Sequence, residues 1–332
     1  MGVRSPTEPA VNIVRISDQL VERPLVTCRP HPSLRHPAFG ALALFVATGV
    51  SLTACGSGSL EGSGSTGTGS VPSASAQEGL NARLPAKIKT AKKIVVGTDA
   101  TYAPSEFLAA DGKTVQGFDI DLFTAVAQKL GVEVEFIPSS FDSIIAGVDT
   151  GKYDVGVSSF TINDKRKAAA NMVSYYSAGT QWAVKKGNPT KITPDDACGK
   201  NVAVQTGTVQ ADEDLPVRQK ACKSEDKPAI RVQSYQGQDE ATAAVASGKA
   251  DAMLADSPVG AYAVKQSSSA LELGGDIYDS APYGYVVAKD QADFAAAIAD
   301  ALKALQADGT YTAALTKWGV EQGAITAFAV NP

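Results

Sequence analysis

Histidine occurs only at positions 31 and 36 of this 332-residue chain. Both precede an apolar run, Ala38 to Leu52, that reads as the core of an export signal. Once that signal is removed, no imidazole remains. Serine–histidine and cysteine–histidine nucleophiles are then excluded, as are most catalytic zinc sites. The cysteines are Cys28, Cys55, Cys198 and Cys222. Cys28 leaves with the signal and Cys55 has a separate role. Cys198 and Cys222 are spaced widely enough for a structural disulfide in an oxidising compartment.

What remains is the chemistry of charge. Arg166 follows Asn163, a candidate N-cap, and so falls in the first turn of a helix. A helix start disfavours a cation. An anionic ligand group would relieve that cost, and a guanidinium grips a carboxylate through two parallel hydrogen bonds. Asp256 follows the apolar strand Ala252–Ala255. A carboxylate at the C-terminal end of a parallel strand points into the crevice where such sheets bind ligands. Asp256 also suits the N-cap of the next helix, and both roles are compatible. Thr208 follows Gly207 where a strand gives way to a helix, whose free N–H groups favour a carboxylate.

These residues need elements to hold them. Ile94–Gly97 reads as a buried strand. Phe118 to Leu130 carries Leu122, Phe123, Val126 and Leu130 at helical spacing, with Gly131 as its C-terminal stop. Val132–Ile137 is a strand, Phe141–Thr150 a helix stopped by Gly151, and Tyr153–Val157 another strand. Such alternation implies an α/β layer with parallel strands. The unit recurs: AGVDTGKYDVGV (146–157) and AAVASGKADAML (243–254) share the order helix, Gly-Lys, one residue, Asp, strand. Asn201–Gln205 and Ile230–Ser234 are strands of this second lobe. A strand at Gly284–Ala288, a helix at Gln291–Ala307 and a last helix ending near Trp318 complete the first lobe. The chain then crosses between lobes near Ser177–Gln181 and near Tyr278–Tyr283, and a two-strand hinge permits closure.

The export signal ends in Leu52-Thr-Ala-Cys55-Gly56, which is similar to the bacterial lipobox, whose cysteine is lipidated. Gly56 to about Gly79 is nearly all Gly, Ser, Thr and Ala, and cannot bury enough apolar surface to fold. A flexible coil of that length reaches roughly 25–30 Å, which suits a tether between membrane and globular body. The expected organisation is a signal with an extended N-terminus (1–54), a lipidated tether (55–86), the first part of lobe 1 (87–180), lobe 2 (181–279), the completion of lobe 1 (280–320) and a C-terminal tail (321–332). A formal charge of −5 argues against nucleic acid as a partner, because phosphate binding needs a basic surface.

The motifs resemble a known family. Val95-Val-Gly-Thr-Asp-Ala-Thr-Tyr-Ala-Pro-Ser-Glu-Phe107, Gly117-Phe-Asp-Ile-Asp-Leu122 and Ser158-Ser-Phe-Thr-Ile-Asn-Asp-Lys-Arg166 carry the likeness. Val202-Ala-Val-Gln-Thr-Gly-Thr208, Asp256 and Asp308-Gly-Thr-Tyr311 with Lys317-Trp318 continue it. Together they resemble the polar amino-acid-binding proteins of ABC importers, solute-binding family 3, above all members that bind lysine, arginine, ornithine or glutamine. The resemblance implies an α/β, two-lobed periplasmic-binding-protein-like (type II) fold, two doubly wound lobes joined by a two-strand hinge. It implies that Arg166 holds a ligand α-carboxylate and that Asp256 pairs with the α-ammonium. Ser158, Ser159, Thr161 and Thr208 match binding positions. Tyr102 and Phe141 match the aromatics that sandwich the side-chain stem, where an aromatic face accepts methylenes and attracts cations. Asp99 matches a position at the far end of the side chain, where a carboxylate favours ammonium, guanidinium or amide groups and repels acidic ones.

The chain departs from the family at Ser105, at Asn171–Ser174 and at Ala255, where glutamine-binding relatives carry histidine. Gln205 and Val209 are not typical contacts. The expectation is a monomeric, extracytoplasmic lipoprotein that carries a free amino acid to an importer permease, without cofactor, metal or catalysis. A cyclohexadienyl dehydratase-like enzyme on the same fold, with Glu106 as the candidate general acid, and a ligand-sensing receptor module are the alternatives.

Overall fold

The computed structural model describes residues 71–332. The signal segment, Cys55 and the first part of the tether lie outside the described residues. Eleven strands and nine α-helices lie within them.

Lobe 1 opens with α1 (Ala86–Ala91) and β1 (Lys93–Thr98), followed by three short strands, β2 (Thr101–Tyr102), β3 (Glu106–Leu108) and β4 (Val115–Gln116), in a small antiparallel sheet of their own. Next come α2 (Phe118–Lys129), β5 (Glu133–Pro138), α3 (Phe141–Asp149), β6 (Val155–Gly156) and α4 (Asp164–Ala169). The long strand β7 (Asn171–Lys185) leads into lobe 2, built from β8 (Asn201–Gln205), α5 (Leu215–Ser224), β9 (Arg231–Tyr235), α6 (Gln238–Ser247), β10 (Ala252–Asp256) and α7 (Ser257–Gln266). A second long strand, β11 (Leu271–Val287), returns to lobe 1, where α8 (Ala292–Ala307) and α9 (Thr310–Trp318) finish the fold.

The large sheet has the order β5-β1-β6-β11-β7-β10-β8-β9. β1 runs parallel to β5 and β6, and β8 runs parallel to β9 and β10. β7 and β11 are antiparallel to each other and run through both lobes. Their register slips between Gly274 and Tyr278, between Tyr278 and Ala281, and between Tyr283 and Gly284, at the passage from one lobe to the other. Such irregularities bend and twist a strand pair. The strand expected at Gly284–Ala288 is the last part of β11, and the crossing expected near Tyr278–Tyr283 lies within the same strand.

Each lobe is covered on both faces, which is why its central strands read as continuous apolar runs. In lobe 2, Val202, Val204 and Leu254 join one core cluster while Ala203 and Met253 join the other, as alternating side chains require. In lobe 1, α2, α8 and α9 cover one face with Leu122, Phe123, Ile298, Leu302 and Leu315, and α3 covers the other with Ile144 and Val148.

The repeated Gly-Lys-x-Asp has one structural purpose in both lobes. Gly151 (φ +74) and Gly248 (φ +80) turn the chain through the left-handed region that favours glycine. The aspartate then accepts a hydrogen bond from the neighbouring strand: Asp154 from Val95 N at 2.9 Å, and Asp251 from Asn201 N at 2.8 Å. The disulfide joins Cys198 to Cys222, tying the approach to β8 onto α5.

Two segments differ from the expected organisation. Residues 71–86 are not free tether: Leu80 and Leu84 are 5% and 3% exposed, and Gln77 N donates to Lys129 O at 2.9 Å. Leu80 and Leu84, with Val71 and Ala74, pack it on the lobe 1 core, and Asn81 Nδ2 donates to Leu130 O at 3.0 Å. Residues 321–332 also pack on lobe 1, with Phe328 buried against Tyr311 and Met172 N donating to Asn331 Oδ1 at 2.8 Å. No helix among the described residues is long and apolar enough to cross a membrane.

Replacing Asp154 or Asp251 by alanine strands a strand N–H without its acceptor. Each change is expected to lower the unfolding free energy by roughly 1–3 kcal/mol, read from urea denaturation. Lys87, which pairs with Asp154 but is largely exposed, adds little, so the two costs should be similar. Negligible loss at both positions would contradict the shared role.

Candidate functional site

The N-cap expected at Asn163 is present: its Oδ1 accepts from Arg166 N at 2.9 Å. This fixes Arg166 in the first turn of α4, pointing toward lobe 2. Arg166 is 8% exposed, and its guanidinium donates to Thr161 O at 2.7 Å and to Gly207 O, in lobe 2, at 3.1 Å. It lies 5.4 Å from the rings of both Phe141 and Phe160, which stack on each other at 4.6 Å. Burial pulls its pKa down, opposed first by the charge of Asp256. Its planar donor fork thus meets two carbonyls and two aromatic faces. Among the described residues, no carboxylate pairs with it.

Asp256 is the last residue of β10 and 5% exposed. Its carboxylate does not cap α7. Instead Oδ1 accepts from Gln210 Nε2 at 2.8 Å, and the same amide donates to Thr180 Oγ1 on β7 at 3.0 Å. Burial raises its pKa, opposed by the Tyr283 hydroxyl, the Gln210 amide, the Tyr102 hydroxyl and the charge of Arg166. No lysine or arginine among the described residues pairs with it.

The lobes meet through direct hydrogen bonds around these charges. Asp256 N donates to Tyr102 OH at 3.1 Å, and Gln238 N to Thr101 Oγ1 at 3.1 Å. Gln205 Nε2 donates to Asp99 Oδ2. At the rim, Asn163 Nδ2 donates to Glu213 Oε1 at 2.6 Å, and Lys165 lies 3.6 Å from Asp212. A cavity of about 350 Å³ opens on the Arg166 side, lined by Phe141, Phe160, Arg166, Gly207, Thr208 and Asp212 among others.

The remaining expected residues divide into two groups. Tyr102 and Phe141 are both at the lobe junction, but Tyr102 packs on Ala255 and Val259 of lobe 2, whereas Phe141 stacks on Phe160. Thr161 contributes a carbonyl to Arg166. Ser158, Ser159 and Thr208, expected as ligand contacts, have their hydroxyls engaged internally. Ser158 Oγ donates to Glu106 Oε1 at 2.9 Å and accepts from Asp99 N at 3.0 Å. Ser159, held at φ +48, directs N and Oγ to Asp119 Oδ2. Thr208 Oγ1 donates to Gln205 O and accepts from Ala211 N, closing its turn.

Beneath the cleft lies a set of carboxyls whose arrangement is not evident from sequence. Glu106 and Asp119 are fully buried, and Asp119 Oδ2 also accepts from Tyr175 OH at 2.6 Å. Burial, then the charge of Asp119, pushes Glu106 well above the ordinary carboxyl range. Burial raises Asp119 to about 6. It raises Asp99 to about 6 as well, against hydrogen bonds from Thr101 and Gln205. Gln210 also escapes sequence reasoning, since a glutamine on a helical turn gives no signal of its partner.

Over residues 94–321 the sequence matches the family described as bacterial extracellular solute-binding proteins, family 3. The chain belongs to that family. The arginine-binding protein ArgT of Corynebacterium glutamicum is 32% identical over 300 residues, which cover 90% of this chain and 97% of that protein. An ancestral arginine-binding protein solved with arginine bound is similar with a TM-score of 0.63 and 35% identity, covering 68% of this chain and 98% of that one. An ancestral amino acid-binding protein, a precursor of cyclohexadienyl dehydratase, is similar with a TM-score of 0.61 and 36% identity, covering 70% and 97%. The likeness extends across both lobes, so the two-lobed type II fold expected from the motifs is the fold of this family 3 protein.

The carboxyl set gives the family 3 protein a signed pH dependence. Folded pKa values near 6 exceed the unfolded values of about 4. The folded state therefore holds more protons in that window, and stability falls as pH rises through it. Without ligand, the melting temperature is expected to be higher at about pH 5 than at about pH 7.5, and Asp119→Asn to flatten that slope. Calorimetry that finds the opposite slope would contradict the assignment.

Proposed function

We propose that this family 3 protein binds a free polar amino acid, basic or amide in its side chain, and delivers it to an ABC importer permease by closure of its lobes. It acts outside the cytoplasm as a monomer, held at the outer face of the cell membrane by a lipid on Cys55. It performs no catalysis.

One observation carries the reading. Two opposite charges, Arg166 and Asp256, are buried at the lobe junction, near enough for each to shift the other's pKa, and neither makes a salt bridge among the described residues. Burying a charge without a partner is costly. A zwitterion supplies both partners at once, with its carboxylate toward Arg166 and its ammonium toward Asp256. Asp99, buried at the junction, favours a side chain that brings donors or positive charge. The arginine-binding names of the relative and the structural neighbour agree with that choice.

Six polar contacts among the described residues join the lobes directly, and parting them widens access to the cleft. The register slips in β7 and β11 lie at the passage between the lobes, where bending would permit such parting. An importer that accepts only the closed form would then read the occupancy of the cleft from its shape. The tether and lipid rest on the lipobox-like Leu52–Gly56 and the Gly/Ser-rich segment behind it.

The likeness to a dehydratase precursor raises a second reading. A dehydratase needs an acid that reaches its substrate. Glu106 has no exposure, and its Oε1 is engaged with Ser158. That placement favours a role in holding the cleft over proton transfer.

Titration calorimetry of the purified protein against the common amino acids tests the proposal. A basic or amide amino acid should bind. Arg166→Met and Asp256→Asn should each weaken it by roughly 30-fold to 3,000-fold, the effect of truncating one partner of a buried charge pair. Undiminished affinity in both variants would refute the site, and binding of prephenate alone would favour the enzyme.

A further inference from the structure

Glu106 lies on β3 opposite Tyr102 of β2, and Asp119 lies in the first turn of α2. The two segments meet closely, since Asp119 N donates to Ser105 O at 3.1 Å. Both side chains are out of water, at 0% exposed. Their hydrogen bonds are unevenly shared. Asp119 Oδ2 accepts from Tyr175 OH at 2.6 Å, Ser159 N at 3.0 Å and Ser159 Oγ at 3.3 Å. Glu106 Oε1 accepts only from Ser158 Oγ, at 2.9 Å. The other oxygen of each, Glu106 Oε2 and Asp119 Oδ1, is buried and meets no donor among the described residues. The two carboxyls are hydrogen-bonded to each other, which leaves those two oxygens to make the contact. Two carboxyl oxygens bond only with a proton between them. The other titratable groups that face the pair are Asp99 of β1, Tyr102 of β2, Tyr175 and Tyr176 of β7 and Tyr285 of β11, all acids or phenols. No lysine or arginine among the described residues pairs with either carboxyl. Two like charges in such a place do not both stay ionised. Three donors on Asp119 against one on Glu106 hold the negative charge on Asp119 and the proton on Glu106.

We infer that Glu106 is a positioning residue of the ligand cleft: at neutral pH it carries a proton, donates it to Asp119, and through Ser158 fixes the end of β1 at Asp99. This rests on the amino-acid-binding reading above and adds a protonation state to it. Ser158 Oγ gives its one proton to Glu106, so it can only accept from Asp99 N, which it does at 3.0 Å. Neutral Glu106 thus sets the place of Asp99. As the cross-strand partner of Tyr102, it also anchors the strand pair that carries that ring. Tyr102 OH in turn accepts from Asp256 N of lobe 2 at 3.1 Å. Loss of the proton would set a second buried anion against Asp119. Repulsion would then part the two carboxyls and carry Ser158 and Asp99 with Glu106. Ligand affinity therefore falls as pH rises through the titration of Glu106.

The test begins without ligand. In carboxyl-carbon NMR of the full chain at about pH 7.5, the resonance that Glu106→Gln removes should be that of a protonated acid. An ionised Glu106 overturns the inference, whatever the protein binds. Calorimetry then uses L-arginine, L-lysine or L-glutamine, whichever wild type binds most tightly. Glu106→Gln keeps an acceptor for Ser158 and a donor for Asp119, and should bind within about 3-fold of wild type. Glu106→Met keeps neither and should lose about 10-fold or more. Over the pH range in which the Glu106 resonance titrates, wild type should weaken relative to Glu106→Gln, because the ligand's own ammonium titrates alike for both. Equal losses in the two variants, no loss in Glu106→Met, or identical pH profiles for wild type and Glu106→Gln would overturn the inference and leave the amino-acid reading intact. If Glu106→Met fails to fold, the resonance and the Glu106→Gln profile still decide. Binding of no amino acid by wild type would overturn both.

Discussion

A guanidinium and a carboxylate, both out of water and neither held in a salt bridge, constrain the rest of this structure. A folded protein does not keep such charges cheaply. Everything around Arg166 and Asp256 softens the cost without removing it. Two carbonyls and two stacked rings face Arg166. One amide and one aromatic hydroxyl adjoin Asp256 through its side chain and backbone. These contacts solvate the charges and hold their direction while leaving them unneutralised. That is the condition under which a ligand with both charges can supply what the protein lacks.

The architecture keeps the two charges on separate bodies. Arg166 belongs to lobe 1 and Asp256 to lobe 2, with β7 and β11 the strands that pass through both. A turn of π-helix at Gln210–Asp214 links the parts. Gln210 reaches Asp256, Glu213 reaches Asn163 on lobe 1, and Asp214 accepts from Tyr278 OH on β11 at 2.5 Å. Five consecutive residues therefore touch the candidate site, the opposite lobe and the hinge. Arg218, bound to Asp214 and lying over Trp182 and Tyr278, braces this turn against both long strands. A change at the cleft has a short physical route to the hinge.

The sequence disclosed most where residue type and element end coincide. Arg166 beside a helix start and Asp256 at a strand end could be read as exposed to a cleft before any coordinates. The Gly-Lys-x-Asp repeat announced two lobes because each aspartate answers the same demand, an acceptor for a strand N–H. Strands of two or three residues, such as β2 to β4, carry no period and were invisible. The lobe 2 half of β11 is hard to recognise in the sequence because Gly274, Gly275, Asp276 and Asp279 interrupt its apolar residues. Residues 71–86 looked like tether since two leucines are too few to register as a pattern. Hydroxyl partners were the least legible feature. Ser159 can serve a ligand or Asp119 equally well on paper, and only the fold decides. Gln205 stayed hidden for the same reason, because its meaning depends on Asp99 arriving from more than a hundred residues away in the chain.

A crystal structure of the protein grown with an amino acid it binds is the most direct test of the central claim. The account predicts the ligand α-carboxylate within about 3 Å of the Arg166 guanidinium and its α-ammonium within about 3 Å of the Asp256 carboxylate, with the lobes closed on both. A ligand lying elsewhere, or one whose charged groups leave Arg166 and Asp256 without partners, would contradict it.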